Sequence, residues 1–226
     1  MQTRLRAVVL CLTLACLICP AAVPAANDNL QQVLARMDKA AAAFQSMTAH
    51  VTQMTHVDVL NDDTTEIGTV KMKKVQPDEV QGRVDFTSPD VKTVTVEKRR
   101  VQEYLPKINT LRIYDLDRHG AQLDKFFMIG FGTSGTELAA NYDVTILGPQ
   151  HLQLIPKSAE VKHYIVKVEL WIPEQGDPYP LREKITEPSG DYILVTYSDL
   201  QINPSLKPDA LQLKPPPGAK IERPGQ

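Results

Sequence analysis

The sequence predicts a mainly β protein with few helices, built on a curved antiparallel sheet that is half closed on itself and lidded by helices. Three observations predict it. Short runs in which apolar and polar residues alternate, separated by tight turns, recur along most of the chain. One amphipathic helix follows the first 25 residues. Little other sequence has helical spacing, so few residues are available to cover the greasy face of so long a sheet, and strong curvature reduces the area that needs covering.

The start of the chain sets the compartment. Arg4 and Arg6 precede an uncharged, largely apolar run from Ala7 to Cys19, and the small-residue stretch Pro20 to Ala26 follows. Basic, apolar, small is the order of a secretory signal, here cleaved after Ala25. A helical run of that length spans about 20 Å, short of a hydrocarbon core of about 30 Å. The mature chain, Ala26 to Gln226, is expected to be one domain exported to the periplasm. Lipid attachment at Cys16, after Thr13-Leu14-Ala15, is the alternative; the usual lipobox has Leu where Thr13 stands. Cys11, Cys16 and Cys19 all fall in the signal, so the mature fold has no thiol and must be held by its core. The net charge of −2 becomes −4 without Arg4 and Arg6. Lys98-Arg99-Arg100 reads as a hairpin tip, and nothing has the basic density that nucleic acid requires.

Asp28 is placed as the cap of the opening helix, with Gln31 completing a capping box. Leu30, Val33, Leu34, Met37, Ala41 and Phe44 form its apolar stripe, opposite Gln32, Arg36 and Lys39. Met47 to Val59 alternates and ends at a turn, Asn61-Asp62-Asp63. Ile67 to Val75, a turn at Gln76-Pro77-Asp78, then Val80, Gly82, Val84 and Phe86 against Gln81, Arg83 and Asp85 continue the pattern to Ser88-Pro89. Val94 and Val96, Val101 to Leu105 and Leu111 to Tyr114 extend it. Leu123 to Phe131 is apolar without alternation and reads as a short helix or loop. Ser134-Gly-Thr-Glu137 opens a second helix to Asn141. Strands resume at Val144 to Leu147, Leu152 to Ile155, Lys162 to Ile172, Leu181 to Thr186 and Tyr192 to Asp199, and a proline-rich, extended tail follows.

Catalytic motifs are not found. Gly130-Phe-Gly132-Thr-Ser-Gly135 fits the dinucleotide-binding spacing but lacks the βαβ setting that gives it meaning, and reads as a loop. His50, His56, His119, His151 and His163 have no metal-ligand spacing, Asp115 and Asp117 flank a turn, and no serine sits in a nucleophile elbow. No enzyme, metal or cofactor is expected. Phe126-Phe127-Met128-Ile129 is either core or the lining of a shape-tolerant apolar site.

Several segments, in order, resemble the LolA-type periplasmic lipoprotein carriers. They are Val33-Leu-Ala-Arg-Met37 with Phe44, Val84-Asp-Phe-Thr-Ser-Pro89, Phe126 to Ile129 with Tyr142-Asp-Val144, Leu152-Gln-Leu-Ile-Pro-Lys157, and Leu211 to Gly218. The resemblance implies an incomplete (half) β-barrel closed by short helices as a lid over an apolar cavity. It implies a carrier of lipoprotein acyl chains, or of another lipid, from an inner-membrane export complex to an outer-membrane receptor. The alternative within the fold is an envelope-stress sensor or structural adaptor that binds a protein partner. Expected lipid-contacting residues are Val33, Met37, Phe44, Val51, Val84, Phe86, Val94, Leu105, Phe126, Phe127, Met128 and Ile129. The chain departs from the family at Gln76-Pro77, where an arginine that helps hold the lid is usual, and at Val80, where an aromatic is common.

Overall fold

A computed structural model describes residues 26–76, 79–97, 100–115 and 129–224. Residues 1–25 with their three cysteines, the Pro77-Asp78 and Lys98-Arg99 turn positions, Asp117, His119 and the Phe126-Phe127-Met128 cluster lie outside the described residues.

The first described element is helix α1 (Ala26–Ala43), whose bounds include Asp28. Six strands follow: β1 (Ser46–Val57), β2 (Asp62–Gln76), β3 (Glu79–Ser88), β4 (Lys92–Glu97), β5 (Arg100–Leu105) and β6 (Thr110–Asp115). Helix α2 (Gly135–Asn141) leads into β7 (Tyr142–Gly148) and β8 (His151–Pro156). A single turn of helix, α3 (Ala159–Lys162), precedes β9 (Lys167–Trp171), β10 (Arg182–Thr186) and β11 (Tyr192–Ile202), and the short β12 (Lys220–Glu222) ends the sheet.

All twelve strands belong to one curved, open sheet in the order β12-β6-β5-β4-β3-β2-β1-β11-β10-β9-β8-β7. It is two meanders, β1 to β6 and β7 to β11, joined where β1 pairs β11 from Met47↔Ile202 to His56↔Tyr192. Pairing is antiparallel except at one edge, where β12 runs parallel to β6. The proline-rich tail was expected to stay extended, and it ends in that strand because it crosses the outer face of the sheet. Arg83 Nη1 donates to the Gln212 carbonyl at 2.6 Å on the way.

Two further local readings change and one holds. Residues 58–60 form a 3₁₀ turn closed by Asn61 at φ 48°, a left-handed conformation that asparagine tolerates, so Asp62 and Asp63 already belong to β2. The expected strand from Lys162 to Ile172 begins only at Lys167. Ser158 Oγ accepts from the Val161 amide at 3.4 Å, and that cap turns the preceding residues into α3. The expected cap at Ser134 is present: its Oγ accepts from the Glu137 amide at 3.0 Å, and the helix begins at Gly135.

Helix α1 lies across the concave face and divides its packing. Val33 and Met37 pack with Ile129, Leu138 and Tyr142 and with Leu152, Leu154, Val168 and Leu170 of β8 and β9. Further along the helix, Ala40 and Phe44 pack with Met47, Ala49, Val51, Val70 and Met72 of β1 and β2. Gly135 lets α2 touch α1, since a Cβ there would stand 2.1 Å from the Leu34 carbonyl oxygen.

Candidate functional site

The inner face of the central strands is built by alternation. Val51 and Gln53 of β1, Val70 and Met72 of β2 and Val84 of β3 point to the same side as Glu183 and Ile185 of β10 and Ile193, Val195 and Tyr197 of β11. These side chains line a cavity of about 450 Å³. Its far wall comes from His163 to Ile165, just after α3, and from Glu187 and Pro188 in the β10–β11 turn. Tyr164 is 46% exposed, so the cavity reaches the surface there.

The opposite end is closed by aromatic rings. Phe131 meets Tyr197 edge-on at 5.1 Å and stacks on Tyr179 at 5.9 Å, while Phe44 of α1 stands 6.4 Å from Phe131. Phe131 sits between Gly130 and Gly132, both at positive φ (83° and 87°), which lets the loop bend tightly enough to drop the ring onto Tyr197. The glycine-spaced stretch is therefore a loop leading into α2, with no βαβ unit around it.

The helix that roofs this region is pinned by polar contacts. Arg36 Nε and Nη2 donate to the Gly176 carbonyl at 3.3 and 2.9 Å. Its Nη1 reaches the Glu174 carbonyl at 2.9 Å and Nη2 the Pro173 carbonyl at 2.8 Å. Asp38 accepts from the Thr136 amide at 2.9 Å, and Tyr179 donates its hydroxyl to the Ala40 carbonyl at 3.1 Å.

The cavity is open, so its apolar wall forgoes about 25 cal/mol for each Å² that a ligand would cover. Its volume falls within the roughly 300–1,000 Å³ usual for small-ligand sites.

One carboxyl in the wall is deeply buried. Glu183 is 4% exposed. Its Oε2 accepts from the Tyr197 hydroxyl at a long 3.5 Å, and among the described residues nothing reaches Oε1. Burial pushes its carboxyl up to about 8, against the weaker pull of the Tyr197 hydrogen bond, so it is protonated at neutral pH. Burial and the nearby Glu183 in turn raise Tyr197 well above the ordinary phenol range. The same two causes, with Glu137, put Tyr142 at about 12. Among the described residues, no three His, Cys, Asp or Glu side chains could hold a metal ion.

The residues singled out in the sequence fall in four places. Val51 and Val84 line the cavity. Val33, Met37, Phe44 and Ile129 are buried in the packing of the helices on the sheet. Phe86 is buried beside the cavity strands, with the Lys92 ammonium 4.9 Å from its ring centre. Val94, opposite Val84 in register, and Leu105 lie further along the same face. The sequence reading passed over Glu183, Tyr197 and Arg36. Glu183 stands between Arg182 and Lys184, where alternation puts the three side chains on two faces; an acid at the inward position of a strand was the available signal.

No protein-family model matches the chain, and no curated protein matches it in sequence. Solved structures do match. An uncharacterized conserved protein from Thermus thermophilus shares 18% identity over 86% of this chain and 99% of its own, with a TM-score of 0.49. A putative outer membrane lipoprotein-sorting protein domain from Vibrio parahaemolyticus shares 12% over 81% and 95%, at 0.44. A LolA superfamily protein from Nitrosomonas europaea shares 14% over 81% and 97%, at 0.41.

Proposed function

We propose that the chain is a periplasmic carrier that takes lipid acyl chains, such as those of lipoproteins, into the concave-face cavity and moves them from inner to outer membrane. The observation that carries this reading is a largely apolar hollow on the inner face of the central strands, open at Tyr164. Binding and release, with no reaction, are what such a lining performs: its polar members do not converge on a nucleophile or a metal.

The energetics fit a shuttle. Each methylene taken from water gains about 0.8 kcal/mol. The exchange that matters is from a membrane to the cavity, both apolar, so the net change is small and loading is reversible. Direction comes from partners, an export complex that donates and an outer-membrane receptor that accepts. Mass spectrometry of organic extracts from protein purified out of the periplasm is expected to find acyl lipid in near-stoichiometric amount. Reproducibly empty protein counts against the proposal.

A second reading, an envelope-stress sensor or structural adaptor, is favoured by a different feature. Val59, Leu60, Val91 and Ile108 are 88%, 71%, 58% and 57% exposed. They lie on the β1–β2, β3–β4 and β5–β6 turns, which an antiparallel meander brings to one end of the sheet. An adaptor would hold a stable protein complex through this end, and deleting its gene would leave lipoproteins correctly placed.

A further inference from the structure

The cavity is not uniformly apolar, and its one deeply buried polar pair says something about the ligand. Glu183 and Tyr197 are neighbours across the β10–β11 pair, with Glu183 opposite Val195 in register. The long Tyr197–Glu183 hydrogen bond occupies Oε2, leaving Oε1 with no partner among the described residues, in a wall that also carries Val51, Ile185 and Val195. A buried polar atom left unsatisfied costs about 1–3 kcal/mol, a cost that a ligand atom placed against it would remove. The size of the space is a second constraint. At about 30 Å³ per water-sized volume, it accepts on the order of fifteen non-hydrogen atoms, the bulk of one hydrocarbon chain.

Resting on the carrier reading of the same site, we propose that the cavity takes one acyl chain at a time and that Glu183 recognises an uncharged carbonyl group, an ester or amide, at the end of that chain. The Tyr197 hydroxyl donates to Glu183 Oε2. The proton therefore sits on Oε1, which donates to the ligand's carbonyl oxygen. A hydrocarbon without a carbonyl leaves that donor unmet, and a free carboxylate sets a second acid against the first. The titratable groups around Glu183 are Tyr197 on β11 and Tyr142 at the start of β7, both raised and neutral, with His163 and Glu187 at the cavity wall. None supplies a fixed counter-charge beside the carboxyl, and the protonation of Glu183 up to about pH 8 is consistent with its donor role.

The test equilibrates delipidated mature protein with an equimolar mixture of methyl palmitate, octadecane and hexadecylamine at pH 6.5. Retained ligand is measured by gas chromatography–mass spectrometry after desalting. The wild type is expected to retain the ester about five- to tenfold over the alkane, as one buried hydrogen bond predicts. Glu183→Gln, which keeps a neutral donor, should hold that preference within about threefold, and Glu183→Leu should lose it while still retaining octadecane. At pH 9.5 the wild type should lose the preference and Glu183→Gln keep it. Equal retention of ester and alkane by wild type and Glu183→Leu overturns the Glu183 proposal but leaves the carrier reading standing. A preference for hexadecylamine that disappears in Glu183→Gln also overturns it, since the carboxyl then acts as an anion. Failure of every variant to retain any of the three sinks the carrier reading instead.

Discussion

At the scale of single residues, Glu183 makes the protein's stability depend on pH in an unusual direction. The unfolded chain releases this proton near the ordinary value of 4.5, whereas the native state keeps it up to about 8. Between those values the native state binds more protons, so stability from this group falls as pH rises, by up to about 1.4 kcal/mol per unit. The penalty is absent below 4.5 and complete above 8. Urea unfolding at pH 5 and pH 8 is expected to show the loss in the wild type and not in Glu183→Gln. Asp85 works in a different window. Burial pushes it up, but hydrogen bonds from Arg83 and Thr93 outweigh that and hold it below 3.8, so its contribution is lost only in stronger acid. Gly135 is another position where one atom decides an outcome. Gly135→Ala sets a methyl against the Leu34 carbonyl of α1 and is expected to cost about 1–3 kcal/mol, read as a lowered Tm.

At the scale of elements, the roof over the concave face is fastened chiefly by Arg36. Its guanidinium gathers the carbonyls of Pro173, Glu174 and Gly176 from the β9–β10 connection. Arg36→Ala is expected to destabilise by about 1–2 kcal/mol and to speed hydrogen exchange in α1 more than in the sheet. Arg36→Lys should not rescue it, because an ammonium cannot span three carbonyls as a planar fork does. This contact also shows where sequence reading stops. Alternation and turn residues made β2 to β6 legible, because a one-residue slip would turn every apolar side chain outward. The stripe of α1 was legible from its spacing of three and four, and Arg36 was read only as part of the side opposite it. Arg36 lies on that side, and its partners are more than 130 residues away, at backbone carbonyls that no side-chain pattern encodes. The β12–β6 pairing was hidden likewise, since three residues after a proline-rich run carry no strand signal of their own. Within the site, alternation pointed to Val51 and Val84. It gave no means of distinguishing apolar positions that pack against α1 from those that face open space, which depends on where the helix ends.

At the scale of the whole molecule, the cavity wall at Pro188 and Tyr164 stands at the same end of the sheet as the exposed turns bearing Val59, Leu60, Val91 and Ile108, because β10–β11 turns at that end as well. Under the carrier proposal, cargo leaving there would emerge beside these exposed apolar side chains. The double substitution Val59→Ser and Leu60→Ser is expected to leave Tm and bound lipid unchanged while slowing transfer to vesicles bearing the acceptor, measured with a fluorescent acyl chain. Acyl ligand should raise Tm in proportion to the logarithm of its concentration, since only the folded sheet offers the cavity. The pairing of β1 with β11 has a last consequence. The ligand chamber takes one wall from strands synthesised near the beginning and the other from hairpin β10–β11 near the end, with about 150 positions between Met47 and Ile202. Contacts that distant in sequence form slowly. The cavity therefore cannot form until almost all of the chain is available to fold, and a copy cut short before Tyr192 lacks the β11 wall.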